Sequence, residues 1–398
     1  MSVVQSDISG AARAAARRLA AASSSTRDDA LELIARTVES RSEAILEANR
    51  ADLAAASGLR PALVDRLTLT GQRVAGLAAG VRAVAALPDP LGTVIREFVR
   101  ADGLRVTKLR VPLGVVAIIY EARPNVTTDA AALALKSGNA CVLRGSRTAA
   151  RTNRVLIDLV RQAISESGLP TDAVQQLEAD RDELAAFVAD PHAADVVIPR
   201  GGEDLKAFLL EHSRVPVLAA AGGNNHVYVD ATADADMAEA IVVNAKTQRP
   251  GVCNAAETLL VHRDRGDVRD RIAKALEAQG VELVEGEQAW ATEFLDLRIA
   301  VRTVDSLDEA LDHIAAYGTG HSEAIVTGDE VAAERFLAEV DAAAVYVNAS
   351  TRFTDGGEFG MGAEMGISTN RLHARGPVAL EELTTSKYVA RGDGQVRS

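Results

Sequence analysis

The sequence predicts an α/β protein with two parallel, Rossmann-like sheets and an antiparallel β projection, and three observations lead there. Apolar runs that suit strands alternate with helical stretches over residues 115–202 and again over 227–347, the pattern of crossovers that builds parallel sheets with ligands at the strand carboxyl ends. At 398 residues the chain is too long for one small core, and two or three domains are expected. Within residues 92–110, two alternating segments flank Asp102-Gly103, which reads as strand, tight turn, strand. Nothing adjacent in the sequence covers that hairpin, so it is expected to pair with another subunit.

From the start of the chain, residues 8–22 and 26–56 read as helices. Thr26 and Asp29 form a variant capping box, and Leu31, Leu33, Ile34 and Val38 follow at helical spacing. A further helix over 72–86 ends at Pro88-Asp89-Pro90. Past the hairpin, the apolar run Val115 to Tyr120 suits a strand buried on both faces. A helix to Lys136, a strand at 140–143, a helix at 149–167, a strand near 174, a helix at 181–188 and a strand at 195–198 complete the first round. Gly201 and Gly202 come after that strand and before a helix, where a phosphate can approach the helix N-terminus. The second round has strands at 227–230, 258–261, 297–304, 324–327 and 344–347 and helices at 265–279, 307–317 and 329–340. Residues 348–376 form a polar loop carrying Arg352, Arg371 and Arg375; a loop of about 30 residues in a compact chain is usually functional. The tail from 378 reads as a helix followed by a strand at 386–390. No G-x-G-x-x-G or P-loop is present, and the glycines of 360–366 have the wrong spacing.

Composition narrows the function. With 47% hydrophobic and 25% charged residues the chain has the makeup of a soluble globular protein, and 3% aromatics leaves the core to Ala, Val, Leu and Ile. A net charge of −13 with no basic stretch argues against nucleic acid. Two cysteines make no disulfide framework, so a reducing, cytoplasmic compartment is the expectation. No apolar run reaches the roughly 18 residues that span a bilayer. The Ala/Arg-rich N-terminus carries Asp7 and runs on into helical pattern, so it reads as part of the fold rather than a transit peptide. The seven histidines are scattered without a Cys/His cluster, and no metal site is expected.

The stretch NAKTQRPGVCNAAET, residues 244–258, holds the candidate nucleophile. Cys253 follows Pro250-Gly251 and precedes a run able to start a helix, whose unpaired N–H groups would favour the thiolate, the form that attacks a carbonyl carbon. Lys246 and Arg249 would add positive charge if they face the sulfur. The competing reading is a small buried hydrophobe, the commoner fate of a lone cysteine. Polar, Gly/Pro-punctuated surroundings weigh against it. Cys141, inside an apolar strand, reads as packing.

Several longer runs resemble those of the gamma-glutamyl phosphate reductases, within the aldehyde dehydrogenase superfamily. They are Val111-Pro112-Leu113-Gly114-Val115, Tyr120-Glu121-Ala122-Arg123-Pro124-Asn125-Val126-Thr127, Leu135-Lys136-Ser137-Gly138-Asn139, Ile198-Pro199-Arg200-Gly201-Gly202, His226-Val227-Tyr228-Val229-Asp230, Gln248-Arg249 with Cys253-Asn254 and Glu257-Thr258, His321-Ser322-Glu323-Ala324-Ile325 and His373-Ala374-Arg375-Gly376-Pro377. The resemblance runs in order from about residue 65 to 387. It implies an aldehyde-dehydrogenase-like fold: a cofactor domain over 1–225 with the 92–110 hairpin arm, a catalytic domain over 226–360 carrying Cys253, and a return segment with an oligomerisation tail over 361–398.

The same resemblance implies NADPH-dependent reduction of L-glutamyl 5-phosphate to L-glutamate 5-semialdehyde through a Cys253 thioester, in proline biosynthesis, by a homo-oligomer with possible functional coupling to glutamate 5-kinase. Asn125 falls where the superfamily places an oxyanion-hole amide, partnered by the Cys253 backbone N–H. Hydrolytic relatives carry a glutamate two residues before the Gly-Gly matching Gly222-Gly223; here Ala220 stands there and cannot activate water. Arg144 matches a basic residue near the adenosine ribose, and Arg147 stands where NAD-preferring relatives often have glutamate, so it can pair with a 2′-phosphate. Gly145-Ser146-Arg147 departs from the family's usual Gly-Gly-Ser. Lys136, Gly201, Gly202 and Glu293 complete the cofactor candidates, with Arg123, Arg249 and Arg352 as candidates for the substrate's anionic groups. The alternatives are another phosphate- or CoA-dependent acylating aldehyde dehydrogenase, and a catalytically silent nucleotide-binding homologue.

Overall fold

Helices make up the first part of the chain: α1 (Val3–Leu19), α2 (Ser24–Ser40), α3 (Ser42–Ala55), α4 (Pro61–Leu67) and α5 (Gly71–Ala86). In this computed structural model, residues 3–56, 58–59, 61–219 and 222–397 are described. The helix expected over 26–56 is two helices, because Arg41, at φ −106°, caps the end of α2 and the start of α3. The cap of α2 is Ser23, whose hydroxyl accepts from the Thr26 N–H at 3.1 Å, three residues ahead of the expected one. α2 buries Ala30, Leu31, Ile34, Ala35 and Val38 along one stripe, the i, i+4 pattern that drives its packing.

The hairpin forms as read. β1 (Val94–Val99) pairs antiparallel with β2 (Arg105–Pro112), and its turn closes through Arg100 N–H to Leu104 O at 2.9 Å with Gly103 at φ +86°. The tail strand Thr384–Arg391 takes the other edge of β2. Every residue of β1 is exposed, including Val94, Ile95, Phe98 and Val99.

The first parallel sheet then alternates as expected: β3 (Val115–Tyr120), α6 (Asn125–Lys136), β4 (Ala140–Arg144), α7 (Ala150–Glu166), β5 (Val174–Gln176), α8 (Arg181–Ala189), β6 (Val196–Arg200) and α9 (Glu203–His212). Its order is β5-β4-β3-β6, all parallel. All six residues of β3 are buried, which explains its unbroken apolar run. Strand order reverses between β3 and β6, and such switch points open ligand crevices at the carboxyl edge.

The second sheet comprises β7 (Asn225–Val229), α10 (Ala235–Thr247), β8 (Ala256–His262), α11 (Gly266–Ala278), β9 (Glu282–Val284), α12 (Glu287–Trp290), β10 (Arg298–Val304), α13 (Leu307–Tyr317), β11 (Ser322–Val326), α14 (Glu330–Glu339) and β12 (Ala344–Val347). Its six parallel strands run β12-β11-β7-β8-β10-β9. Alternation along β7 sends Val227 and Val229 into one core with Leu259, Val261 and Ile272. Tyr228 goes into the other with Leu260, Ile325 and Phe336.

The chain divides into two compact units, Met1–Leu218 with Met361–Gly366 and Val378–Ser398, and Ala219–Gly360 with Ile367–Pro377. The first limit falls at 218/219 rather than the expected 225/226, and residues 367–377 of the expected 361–398 segment belong to the second unit. Backbone bonds from Met365 N to Val378 O (2.8 Å) and Val378 N to Gly366 O (2.7 Å) hold those residues in the first unit. A two-residue ladder, Ile367–Ser368 against Gly376–Pro377, closes the intervening loop in the second. The expected tail helix is only a turn, bonded from Leu383 N to Ala379 O and from Thr384 N to Glu381 O. Among the described residues, no helix is long and apolar enough to cross a membrane.

Candidate active site

No helix begins at Cys253. The residue occupies a turn closed by Ala255 N to Val252 O at 3.1 Å, and strand β8 follows at Ala256. Residues 254–258 carry no strong strand preference, and their pairing with β7 and β10 overrides the helical reading. Helix-dipole activation of the sulfur therefore drops out. The nucleophile candidate also sits at the amino edge of the sheet, opposite the edge where α/β ligands usually bind.

The turn is tethered from several sides. Asn225, heading β7, donates from Nδ2 to Cys253 O (2.8 Å) and Ala255 O (2.7 Å). Gly223 lies so close to the Cys253 carbonyl that a β-carbon there would overlap it. Glu293 Oε1 accepts from the Gly223 N–H at 2.6 Å. Asn254 Nδ2 donates to Thr354 O at 2.9 Å, and the Asn254 backbone carbonyl accepts from the Thr351 hydroxyl at 2.7 Å. Those bonds hold the short 3-10 turn Thr351–Phe353 beside the cysteine. Cys253 is partly accessible; Cys141 is buried in β4, its thiol pushed up to about 12 by burial, and neither is in a disulfide.

Of the cations near the cysteine, Arg352 lies close enough to feel both Cys253 and Arg249, whereas Lys246 is turned away. Burial holds Arg352 below the usual guanidinium range; nearby Arg249 adds to the drop, while the nearby Cys253 side chain opposes it. Arg352 Nε donates to Gln248 Oε1 at 2.9 Å, which fixes one edge of its guanidinium fork. Lys246 is fully buried and its ammonium meets Glu257 Oε2 at 2.7 Å, so it is not available to the sulfur. Burial works against ionisation of both partners, raising Glu257 and lowering Lys246.

In the other unit, Arg144 ends β4 and donates to Ala179 O at 3.1 Å. Burial lowers its pKa, Glu121 opposes that, and the exposed Arg147 lowers it further. Gly145 packs against Asn153 and Tyr120 too tightly for a side chain. Gly201 and Gly202 do open α9, yet the Glu121 carboxylate is already there, accepting from the Gly202 N–H at 3.1 Å and crowding Gly201. An anion at that helix end would meet a like charge. Lys136 also departs from expectation: at the carboxyl end of α6 it points away from the strand carboxyl edge, and its buried ammonium pairs with Asp28 (2.5 Å) and Ala85 O (2.8 Å). Arg123 lies in the β3–α6 connection, and Asn125 opens α6 as an exposed residue donating to Asp129 Oδ2 at 3.1 Å. Ala220 lies outside the described residues. His226 and His321 are buried and bonded to Glu323 (2.9 Å) and Ser322 (2.8 Å). Among the described residues, no group of His, Cys, Asp or Glu is placed to hold a metal ion.

Sequence reasoning gave no role to Gly223, Asn225, Gln248 or Asp129, naming Gly223 and Gln248 only within matched runs. Asp129 had a legible signal, a carboxylate four residues after Asn125 on one helical face. The other three act by tertiary contact and had none.

Comparison with known proteins agrees with this layout. The aldehyde dehydrogenase family model matches residues 4–293. The gamma-glutamyl phosphate reductase of Moorella thermoacetica is 52% identical, with 97% of each chain covered, and that of Thermobifida fusca is 50% identical with the same coverage. The crystal structure of gamma-glutamyl phosphate reductase from Thermotoga maritima superposes with a TM-score of 0.97 at 44% identity, covering 99% of this chain and 100% of that one. Family match, near-full-length relatives and superposed fold together show that the chain belongs to the aldehyde dehydrogenase family, in the group of the gamma-glutamyl phosphate reductases.

Proposed function

We propose that the protein reduces L-glutamyl 5-phosphate to L-glutamate 5-semialdehyde and phosphate, with Cys253 as nucleophile and NADPH as reductant. The observation that carries the reading is the pairing of an accessible, rigidly tethered cysteine with Arg249 and Arg352 in an acidic chain. Two guanidinium groups suit a phosphate and a carboxylate, which they bind through fork geometry. In the forward direction the Cys253 sulfur attacks the acyl carbon, phosphate leaves with its electron pair toward the arginines, and a thioester remains. Asn125 supplies a side-chain N–H to the oxyanion, a contribution typically worth about 10²–10³ in rate. With Ala220 in place of a water-activating glutamate, thioester hydrolysis has no base there.

The donor set of the first unit fits the cofactor: Arg144 and Arg147, close enough to perturb one another, would hold the 2′-phosphate that distinguishes NADPH from NADH. NADPH supplies, when bound, the hydride that reduces the carbonyl carbon. The exposed apolar β1 with Tyr388 of the tail strand suits pairing with a second copy, which supports a homo-oligomer. The test is the reverse reaction, NADP⁺ plus phosphate plus the semialdehyde. Wild type should form NADPH only with phosphate present, and Cys253→Ala should form none. Activity retained by Cys253→Ala, or CoA replacing phosphate, overturns the reading.

A further inference from the structure

The catalytic roles above leave one question: what orients the Asn125 amide. A primary amide is nearly symmetric in shape, and only one of its two orientations offers N–H to an oxyanion. Asn125 and Asp129 lie one turn apart on α6, and Asn125 Nδ2 donates to Asp129 Oδ2 at 3.1 Å. An ionised carboxylate accepts only, so it selects the orientation with nitrogen toward it. That nitrogen carries two hydrogens; one goes to Asp129 and the second remains for another acceptor.

We propose that Asp129 is a positioning residue for the reduction, fixing the Asn125 amide through its carboxylate, with Arg200 holding Asp129 as an anion. The inference rests on the assignment of Asn125 to the oxyanion. Burial pushes Asp129 up to about 6, opposed by the Asn125 hydrogen bond and the charge of Arg200 at the end of β6. α5 presents Gly80 to the other carboxylate oxygen, and its two arginines are paired elsewhere, Arg73 with Asp65 and Arg82 with Glu32 and Glu39. Arg200 is itself confined. Gly366, at φ +138°, packs against it so closely that a β-carbon would stand 2.7 Å from Nη1 and 3.2 Å from Cδ. A glycine is needed there for its backbone angle and for the space the guanidinium occupies. Gly366, Arg200, Asp129 and Asn125 thus form one chain of contacts and charge ending at the amide.

The experiment is a double-mutant cycle on the full enzyme in the reverse assay, with kcat and KM measured for wild type, Asn125→Ala, Asp129→Ala and the double variant, together with Tm. Asn125→Ala should lose about 10²–10³ in kcat. Asp129→Ala should lose about tenfold in kcat, within the usual range for coupled neighbours, with KM for the semialdehyde changed by less than about twofold. In the Asn125→Ala background it should lose nothing more. Asp129→Asn, which keeps an acceptor oxygen and the shape, should recover part of the loss and serves in place of Asp129→Ala if that variant is not recovered folded. Wild-type kcat in Asp129→Ala and Asp129→Asn beside a crippled Asn125→Ala overturns the inference alone, as does an equal loss in both backgrounds. Wild-type kcat in Asn125→Ala overturns the oxyanion assignment and the inference with it.

Discussion

Gly223→Ala adds one methyl group at the point where the chain passes Cys253. The added carbon would lie 2.5 Å from the carbonyl carbon of Cys253 and 3.0 Å from its Cα. The carbonyl oxygen would be nearer still, at 1.6 Å; heavy atoms pack at about 3.5–4 Å, so relief requires the two segments to part by about 2 Å, or about 1 Å each. Neither strand of the clash is free to give: the Gly223 N–H is bound to Glu293 and the Cys253 carbonyl to Asn225. Overpacking of this kind costs about 1–3 kcal/mol of stability, and a displacement of about 1 Å at a reacting group costs about 10² in rate. The assay pairs urea unfolding with kcat and with the rate of Cys253 alkylation by iodoacetamide, which the buried Cys141 does not confound. Gly76→Ala is the control: the same methyl, in the interior of α5 with nothing within 4 Å, is expected to stabilise by about 0.5–1 kcal/mol and leave kcat alone. A Gly223→Ala enzyme with wild-type kcat and alkylation rate would refute the claim that this packing holds the sulfur in place.

Three further outcomes follow from the side-chain geometry. Lys246→Met leaves Glu257 alone in a buried site and should cost about 3–5 kcal/mol in urea unfolding, whereas the double variant Lys246→Met/Glu257→Leu should regain most of it. Asp129 has a folded pKa of about 6 against 3.8 unfolded, so its stabilising contribution is complete below pH 3.8 and fades as pH rises to about 6. Stability of Asp129→Asn relative to wild type should therefore climb by about 3 kcal/mol across that window, and a flat difference would refute the burial argument. Gln248→Ala frees one edge of the Arg352 fork; it should raise KM for phosphate several-fold, less than Arg352→Ala, with kcat changed less than KM in both, as initial rates at varied phosphate will report.

The parts of the fold that could be read were those whose residues satisfy a local rule. β3 is an unbroken apolar run because both its faces are covered, and the 92–110 hairpin follows from its Asp-Gly turn. Where a segment answers to distant partners, the local rule misleads. The residues after Cys253 are helix-compatible in composition, yet Asn225 and the β10 pairing draw them into a strand. Lys136 and Lys246 look like exposed helix-end cations until Asp28 and Glu257 are brought beside them from 108 and 11 residues away. The partial accessibility of Cys253 fits its polar, Gly/Pro-marked setting, but the tethers that hold it, Gly223 and Asn225, are invisible without tertiary contact.

The chain's late returns to the first unit bear on its synthesis. Asn139 donates to Leu383 O at 2.8 Å, and β2 waits for Thr384–Arg391 to fill its second edge. The early part of the first unit is therefore translated before the cysteine-bearing unit and completed after it, and its β1–β2 hairpin must wait, lacking its third strand, while the cysteine-bearing unit emerges in between.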